Sequence, residues 1–402
     1  MEPTLVDLFC GGGGLSCGFA QAGFRTVRAI DSWQPAVDTY RQNMGDHIEH
    51  ASITEQTKLP HALVIAGGPP CQGFSSAGRR RDGDERNSLV AVFARLIAIY
   101  RPRAFVFENV EGFLTNADGQ FVIDLLEPIL EAGYHVHLQK INAANYGVPQ
   151  HRKRVLAVGG LGWSPCFPEP THTARGAPGA HLAAIGLPRT PSVADALDGL
   201  PSPLQDGIVA PTEHEGRLLE GMDLARAEIL KSGQRMRDLP EHLQHESYKR
   251  RAFRRVMDGT PSERRGGAPA GLRRLAPDEP SKAITGGALR DFLHPTEHRS
   301  LTLRECARLQ TFPDDWVFRG PKSDKMQLIG NAVPPLLACR VGFCLLNDLR
   351  DQPTSESSGG KLLTFVPTLS NGMSPALDAV HRKVLSRFGV SRSKEVQGAL
   401  WD

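Results

Sequence analysis

The strongest constraint on the fold is an alternation of short apolar runs with helix-length stretches through the first 160 residues. Thr4–Phe9, Thr26–Ile30, Ala62–Ala66, Ala104–Phe107, His135–Ile141 and Arg154–Val158 are short and rich in β-branched and aromatic residues, which predicts strands. Between them, Ala36–Asn43, Leu89–Tyr100 and Phe121–Ala132 carry apolar residues at helical spacing. Strand and helix in succession predict an α/β fold, a doubly wound, mixed but mostly parallel sheet with helices on both faces. After Gly160 the texture changes: Pro, Gly, Arg and His rise and apolar periodicity weakens. Helical patterning returns at Thr302–Leu309 and Pro335–Leu349. The expected organisation is a main domain of residues 1–165 and 319–350 and an inserted, smaller, loop-rich domain of 166–318. Residues 351–402 then form a flexible linker and a tail with one amphipathic stretch, Pro375–Phe388.

Composition narrows the class of protein. No apolar run approaches a membrane span, and Met1-Glu2-Pro3-Thr4 resembles neither a basic leader nor a signal core. The seven cysteines are odd in number and contain no Cys-x-x-Cys pair, which argues against a disulfide framework and a structural zinc site. No His/Asp/Cys cluster has metal-ligand spacing, so no metal is expected, and a reducing cytoplasmic setting is. Net charge is only +3, but Lys231–Leu275 holds twelve Lys and Arg against five Asp and Glu. That local surplus predicts one face that meets a polyanion.

Two segments carry chemistry. The first strand ends in Cys10-Gly11-Gly12-Gly13-Gly14, followed by Leu15-Ser16, which can start a helix. Glycines at such a turn let a ligand approach the backbone, and Asp31, about 20 residues on, can accept from a ribose diol. Asp7 and Phe9 suit a positively charged ligand, through charge and cation–π contact. The second segment, Gly67-Gly68-Pro69-Pro70-Cys71-Gln72-Gly73-Phe74-Ser75, follows the strand Ala62–Ala66. Pro-Pro fixes the backbone, so Cys71 is presented at the carboxyl edge of the sheet as a nucleophile would be. The strand Ala104–Phe107 delivers Glu108 to the same edge. Arg152 and Arg154, if strand-like, project from one side, where positive charge favours a thiolate. A thiol, a carboxylate and paired arginines at one edge imply covalent catalysis on an electron-poor ring.

With these residues in view, the chain resembles the cytosine-C5 DNA methyltransferases over about residues 4–350. Asp7-Leu8-Phe9-Cys10-Gly11-Gly12-Gly13-Gly14 is similar to the family's first motif, Gly68–Ser75 to its catalytic loop and Glu108-Asn109-Val110 to its acid motif. Gln150, Arg152 and Arg154 match its Gln-x-Arg-x-Arg element. Arg304-Glu305 with Ala307–Pro313, and Gly330-Asn331-Ala332-Val333-Pro334-Pro335, match its two late motifs, all in unpermuted order. The resemblance implies a class I methyltransferase fold, S-adenosylmethionine as cofactor and double-stranded DNA as partner. It implies that Cys71 adds to C6 of a flipped-out cytosine, that Glu108 acts at N3, and that Arg152 and Arg154 hold the base and its sugar-phosphate. Asp7, Phe9, Gly11, Gly13, Gly14, Leu15, Asp31, Ser32, Ser52, Ile53, Pro69, Leu89, Asn331 and Ala332 are then expected at the cofactor. Gln72, Ser75 and Thr285 are expected at DNA, with residues 166–318 as the target-recognition domain.

One position departs from the family pattern. Ser52 stands where an aspartate is expected to accept from the adenine amino group, and losing a charge-assisted bond costs roughly 1–2 kcal/mol. A monomer in the bacterial cytoplasm, with a cognate restriction endonuclease or other defence proteins as partners, fits the compact organisation. The rivals are a tRNA cytosine methyltransferase on the same scaffold, disfavoured by the long basic insert, and a non-catalytic DNA-binding homologue, disfavoured by Cys71, Glu108, Arg152 and Arg154. A dinucleotide-dependent oxidoreductase would rest on the Gly-rich turn alone.

Overall fold

The computed structural model describes residues 2–70, 89–173, 186–205, 211–246, 248–249, 271–351, 359–369 and 372–390. The chain divides into two compact units. The first comprises Met1–Tyr146, Lys153–Thr171 and Val333–Asp402; the second comprises Gly147–Arg152 and His172–Ala332.

The strands, in chain order, are β1 (Thr4–Leu8), β2 (Arg25–Asp31), β3 (Ile48–His50), β4 (Val64–Gly67), β5 (Ala104–Val110), β6 (Tyr134–Asn142), β7 (Gln150–His151), β8 (Lys153–Leu161), β9 (Arg273–Arg274), β10 (Ser281–Lys282), β11 (Phe292–Leu293) and β12 (Lys361–Val366). Eight of them form the sheet of the first unit, in the order β12-β6-β8-β5-β4-β1-β2-β3. Only β8 runs against its neighbours, antiparallel to both β5 and β6. Helices α1 (Gly14–Gln21), α2 (Gln34–Met44), α3 (Leu89–Tyr100) and α4 (Gln120–Glu131) connect the strands. The central strands are apolar on both faces, as a doubly covered sheet requires. Leu5, Val6 and Leu8 of β1 and Phe105 and Phe107 of β5 are fully buried. Phe107 meets Phe93 of α3 and Phe113, with ring centroids 5.6 and 5.1 Å apart, which seals α3 onto this face.

The expected α/β architecture is thus found, with two corrections in the first unit. The segment read as linker and tail contributes β12, which pairs in parallel with β6 and ends the sheet. The helix Pro375–Phe388 buries Leu377, Val380 and Val384 in the same core. Cys166 and Cys344 form a disulfide, Cα atoms 6.4 Å apart, where no disulfide was expected. Its partners lie 178 positions apart, so spacing gave no hint. One stretch, Lys322–Arg350, is long and apolar enough to cross a membrane, although none was expected. It is mostly buried, and its two helices, Lys322–Asn331 and Pro335–Asp351, fall in different units.

The second unit is built differently. Its described apolar cluster is small: Ala227, Leu230, Met236, Leu239, Leu243 and Leu293. Loops leave carbonyls without ladder partners, and an arginine fork carries five donors in one plane. Arg274 donates to the carbonyls of Ala227, Leu230, His294 and Glu297, closing the end of the helix Gly221–Ile229. Arg304 donates to the carbonyls of Thr212, Pro313 and Trp316. Arg299 grips Glu305 with two bonds, of 2.9 and 2.6 Å, and Glu305 also completes a capping box with Thr302 at the start of the helix Leu303–Leu309. Arg274 belongs to the basic segment Lys231–Leu275, so part of that surplus is internal rather than a DNA-facing surface. Most of the rest, residues 250–270, lies outside the described residues.

Candidate active site

In the first unit the sheet's carboxyl edge carries two groups of predicted residues. The first surrounds the Gly-rich turn. Gly13 adopts φ 90, a conformation open to glycine at little cost, and so starts α1. The N–H of Gly11 donates to Asp31 Oδ2 and that of Trp33 to Asp31 Oδ1, both at 2.9 Å. The carboxylate is therefore fixed against the turn while its residue stays half-buried at the strand end. Phe9 is also held at positive φ, 59, which is unusual for an aromatic residue and marks a spot the surrounding structure over-determines. A side chain at Gly11 would meet nothing within 4 Å, so there is open space over the turn.

Asp7 is the exception. It is 1% exposed, accepts from Ser16 Oγ at 2.6 Å, and its other oxygen has no partner among the described residues. Burial pushes its carboxyl up to about 7. Tyr40 donates to the same Ser16 hydroxyl and faces His47 Nε2 at 3.0 Å. Asp7 therefore braces the turn from beneath and does not present an exposed charge to a cationic ligand, as the sequence had suggested. Leu15, Ile53, Pro69, Gly13 and Gly14 are buried, Leu89 is half-buried, and Ser32 and Ser52 are exposed.

The second group lies beyond β4, on β5 and β8. Glu108, near the end of β5, forms an ion pair with Arg154 Nε of β8 at 2.8 Å, and both side chains are nearly buried. Glu108 and Arg154 sit on neighbouring antiparallel strands, which is why residues 46 positions apart meet. The carboxylate also stands over Gly68, where a Cβ would lie 3.2 Å from Glu108 Oε2. Asn109 Nδ2 donates to the carbonyl of Pro69 at 3.0 Å, tying β5 to the Gly68-Pro69 backbone. Asn109 was not singled out as a site residue; its adjacency to Glu108 was the available signal. Cys71, Gln72 and Ser75 lie outside the described residues.

Arg152 belongs to the second unit. It is fully buried, and its guanidinium donates to the carbonyls of Ile284, Gly330 and Ala332 at 2.8 to 2.9 Å. A role in holding a base is thereby replaced by one in holding backbone. The strand reading failed because the chain breaks between β7 and β8 at Arg152, so the two arginines do not share a strand face. Thr285 and Asn331 are exposed and Ala332 is half-buried.

The profile of the C-5 cytosine-specific DNA methylase family matches residues 4–345. The chain belongs to this family. Relatives include the Type II methyltransferase M1.HphI of Haemophilus parahaemolyticus, 34% identical over 86% of this chain and 87% of the relative. The Type II methyltransferase M.AgeI of Thalassovita gelatinovora is 30% identical over 83% of this chain and 96% of the relative. Among solved structures, an E. coli prophage-encoded protein described as a DNA modification methyltransferase superposes with a TM-score of 0.59 at 24% identity, over 87% of this chain and 100% of that one. This likeness concerns the fold, and it agrees with the class I arrangement expected from the sequence. In this C-5 cytosine methylase the turn's open face, the fixed Asp31 acceptor and the aromatic Phe9 fit a nucleoside that carries a positive charge.

Proposed function

We propose that this protein is a DNA (cytosine-5-)-methyltransferase that modifies one short duplex sequence, as the modification enzyme of a restriction–modification or related defence system. The names of its relatives support the setting, and a cognate endonuclease is the natural partner. The observation that carries the chemistry is the Glu108–Arg154 pair, held against the Gly68-Pro69 backbone that leads to Cys71. S-adenosylmethionine would be held in the first unit by Phe9, Gly11 and Asp31, and would supply an electrophilic methyl group on a sulfonium. Asp31 would accept from its ribose, and exposed Ser52 would accept from its adenine without the charge an aspartate would bring.

The residues of the chain supply the rest. A cytosine ring stacked in the duplex is inaccessible at C6, so the base is extruded into the pocket. Cys71 adds as thiolate to C6, and the electron pair moves through the ring to C5. Glu108, oriented by Arg154, hydrogen-bonds and protonates N3, which accepts the developing charge. C5, now nucleophilic, takes up the methyl group while the sulfonium leaves as a thioether. Solvent water then takes the C5 proton, the C5–H electron pair re-forms the ring double bond and expels the Cys71 thiolate from C6, and N3 returns its proton to Glu108. Gln72, Ser75 and Thr285 are the proposed DNA contacts. The test is trapping: a duplex with 5-fluorocytosine in the target context cannot lose a C5 proton, so it should stay covalently bound to Cys71 in the presence of S-adenosylmethionine. A mass spectrum that shows methylated DNA but no adduct would remove the covalent step.

A further inference from the structure

Three neighbouring strand ends of the first unit carry the residues that could hold a nucleoside, and their order gives each a part. β1, β2 and β3 lie side by side in the sheet and run parallel. β1 leads into the Gly-rich turn, β2 ends at Asp31, and β3 ends at His50, the register partner of Asp31. The Gly11 N–H binds the Asp31 carboxylate, and the Ala51 N–H donates to the Asp31 carbonyl at 3.0 Å. Ser52 therefore stands one strand, roughly 5 Å, beyond Asp31 and two residues past its register partner. With the ribose at Asp31, a base that continues away from the turn reaches the stretch Ala51–Ile53.

That stretch offers a base no charge. Glu49 pairs with Arg28 and Glu55 with Arg95, so the carboxylates that flank it in the chain are engaged. His50 Nε2 donates to the Ser32 carbonyl at 2.9 Å. The Thr57 hydroxyl accepts from the Thr54 N–H and the Thr54 hydroxyl from the Gln56 N–H, which closes a local turn. Ile53 is buried in the apolar core. Ser52 is exposed, and its hydroxyl has no partner among the described residues. A hydroxyl can turn to accept from an amino group or to donate to an acceptor, whereas a carboxylate only accepts. A neutral hydrogen bond open to solvent also contributes little, because water replaces it. We infer that Ser52 leaves the site weakly selective for the 6-substituent of the cofactor's purine, so that it takes purine nucleosides altered at the 6-amino group nearly as well as the adenosine compound. This rests on the functional reading above, which puts S-adenosylmethionine on these strand ends.

The test compares two dissociation constants by isothermal titration calorimetry on the full chain. One ligand is S-adenosylhomocysteine; the other is its purine riboside analogue, in which hydrogen replaces the 6-amino group and the ring nitrogens are unchanged. In the wild type the two constants should differ by less than about threefold. Ser52→Asp supplies a charged acceptor at an exposed position, where it disturbs no packing. It should tighten S-adenosylhomocysteine and not the analogue, opening the ratio to about tenfold or more. Ser52→Ala removes the hydroxyl and should bring the ratio to within about twofold of one. A wild-type preference of tenfold or more for S-adenosylhomocysteine, or a ratio that Ser52→Asp leaves unchanged, would overturn the role of Ser52 alone. Failure of the wild type to bind S-adenosylhomocysteine would overturn the functional reading with it.

Discussion

The Glu108–Arg154 pair allows a prediction whose size follows from burial. The side chains are 9% and 13% exposed and 2.8 Å apart, so each charge depends on the other for the solvation it has lost. Removing one partner of a buried pair costs about 3–5 kcal/mol, because the remaining charge is left uncompensated. Arg154→Met should therefore destabilise the first unit by about that amount, and Glu108→Gln by a comparable amount through the stranded guanidinium. The double variant removes both charges and should lose at least about 2 kcal/mol less than the sum of the singles, since contacting sites do not add. Urea denaturation followed by circular dichroism, fitted with a common slope, gives the four free energies. All three variants should lose methyl transfer by two orders of magnitude or more, as expected when a group acting at N3 is removed or misaligned. Additivity within about 0.5 kcal/mol would refute the argument, since it would mean that the two groups do not interact in the folded protein.

Three further outcomes follow from the same physics. Asp7 titrates at about 7 because it is buried, above the ordinary carboxylate value of 3.8, so its protonated form favours folding. That contribution is complete below the ordinary value and is lost as pH rises through about 7, by up to ~4 kcal/mol. Unfolding free energies at about pH 5 and about pH 8 should differ more in the wild type than in Asp7→Asn, and equal slopes would contradict this. Arg274→Met leaves four carbonyls of the second unit without their donor and should cost about 3 kcal/mol or more, read as a lowered denaturation midpoint. Asp31→Ala should raise the Michaelis constant for S-adenosylmethionine at least about tenfold while changing that for DNA little, because it removes a charge-assisted acceptor. Equal effects on the two constants would take Asp31 out of the cofactor site.

The sequence was most informative where one period dominates. α3 runs over Leu89–Tyr100 as the apolar spacing predicts, and the strand runs of the first 160 residues all became strands, shifted only at their ends. β12 was missed because a polar, Ser- and Gly-rich stretch precedes it and its pairing with β6 is remote in sequence. The second unit was legible only as loop-rich. Its order comes from Arg152, Arg274, Arg299 and Arg304, and an arginine that binds carbonyls looks in sequence like one that binds phosphate. That ambiguity explains why Arg152 was assigned to the base and Arg274 to a basic face. Asp31 and Glu108 stand at the strand ends to which motif spacing pointed. Asn109, Gln150 and Gln310 fall inside matched motifs, but nothing in the sequence says that they act through bonds to backbone.

The central claim is tested most directly by incubating the wild type and Cys71→Ala with labelled S-adenosylmethionine and either unmethylated genomic DNA or total tRNA, then mapping 5-methylcytosine at base resolution. Label is expected in DNA from the wild type alone, at one short sequence context, with none in tRNA and none from Cys71→Ala. Label confined to tRNA, or substantial transfer by Cys71→Ala, would contradict it.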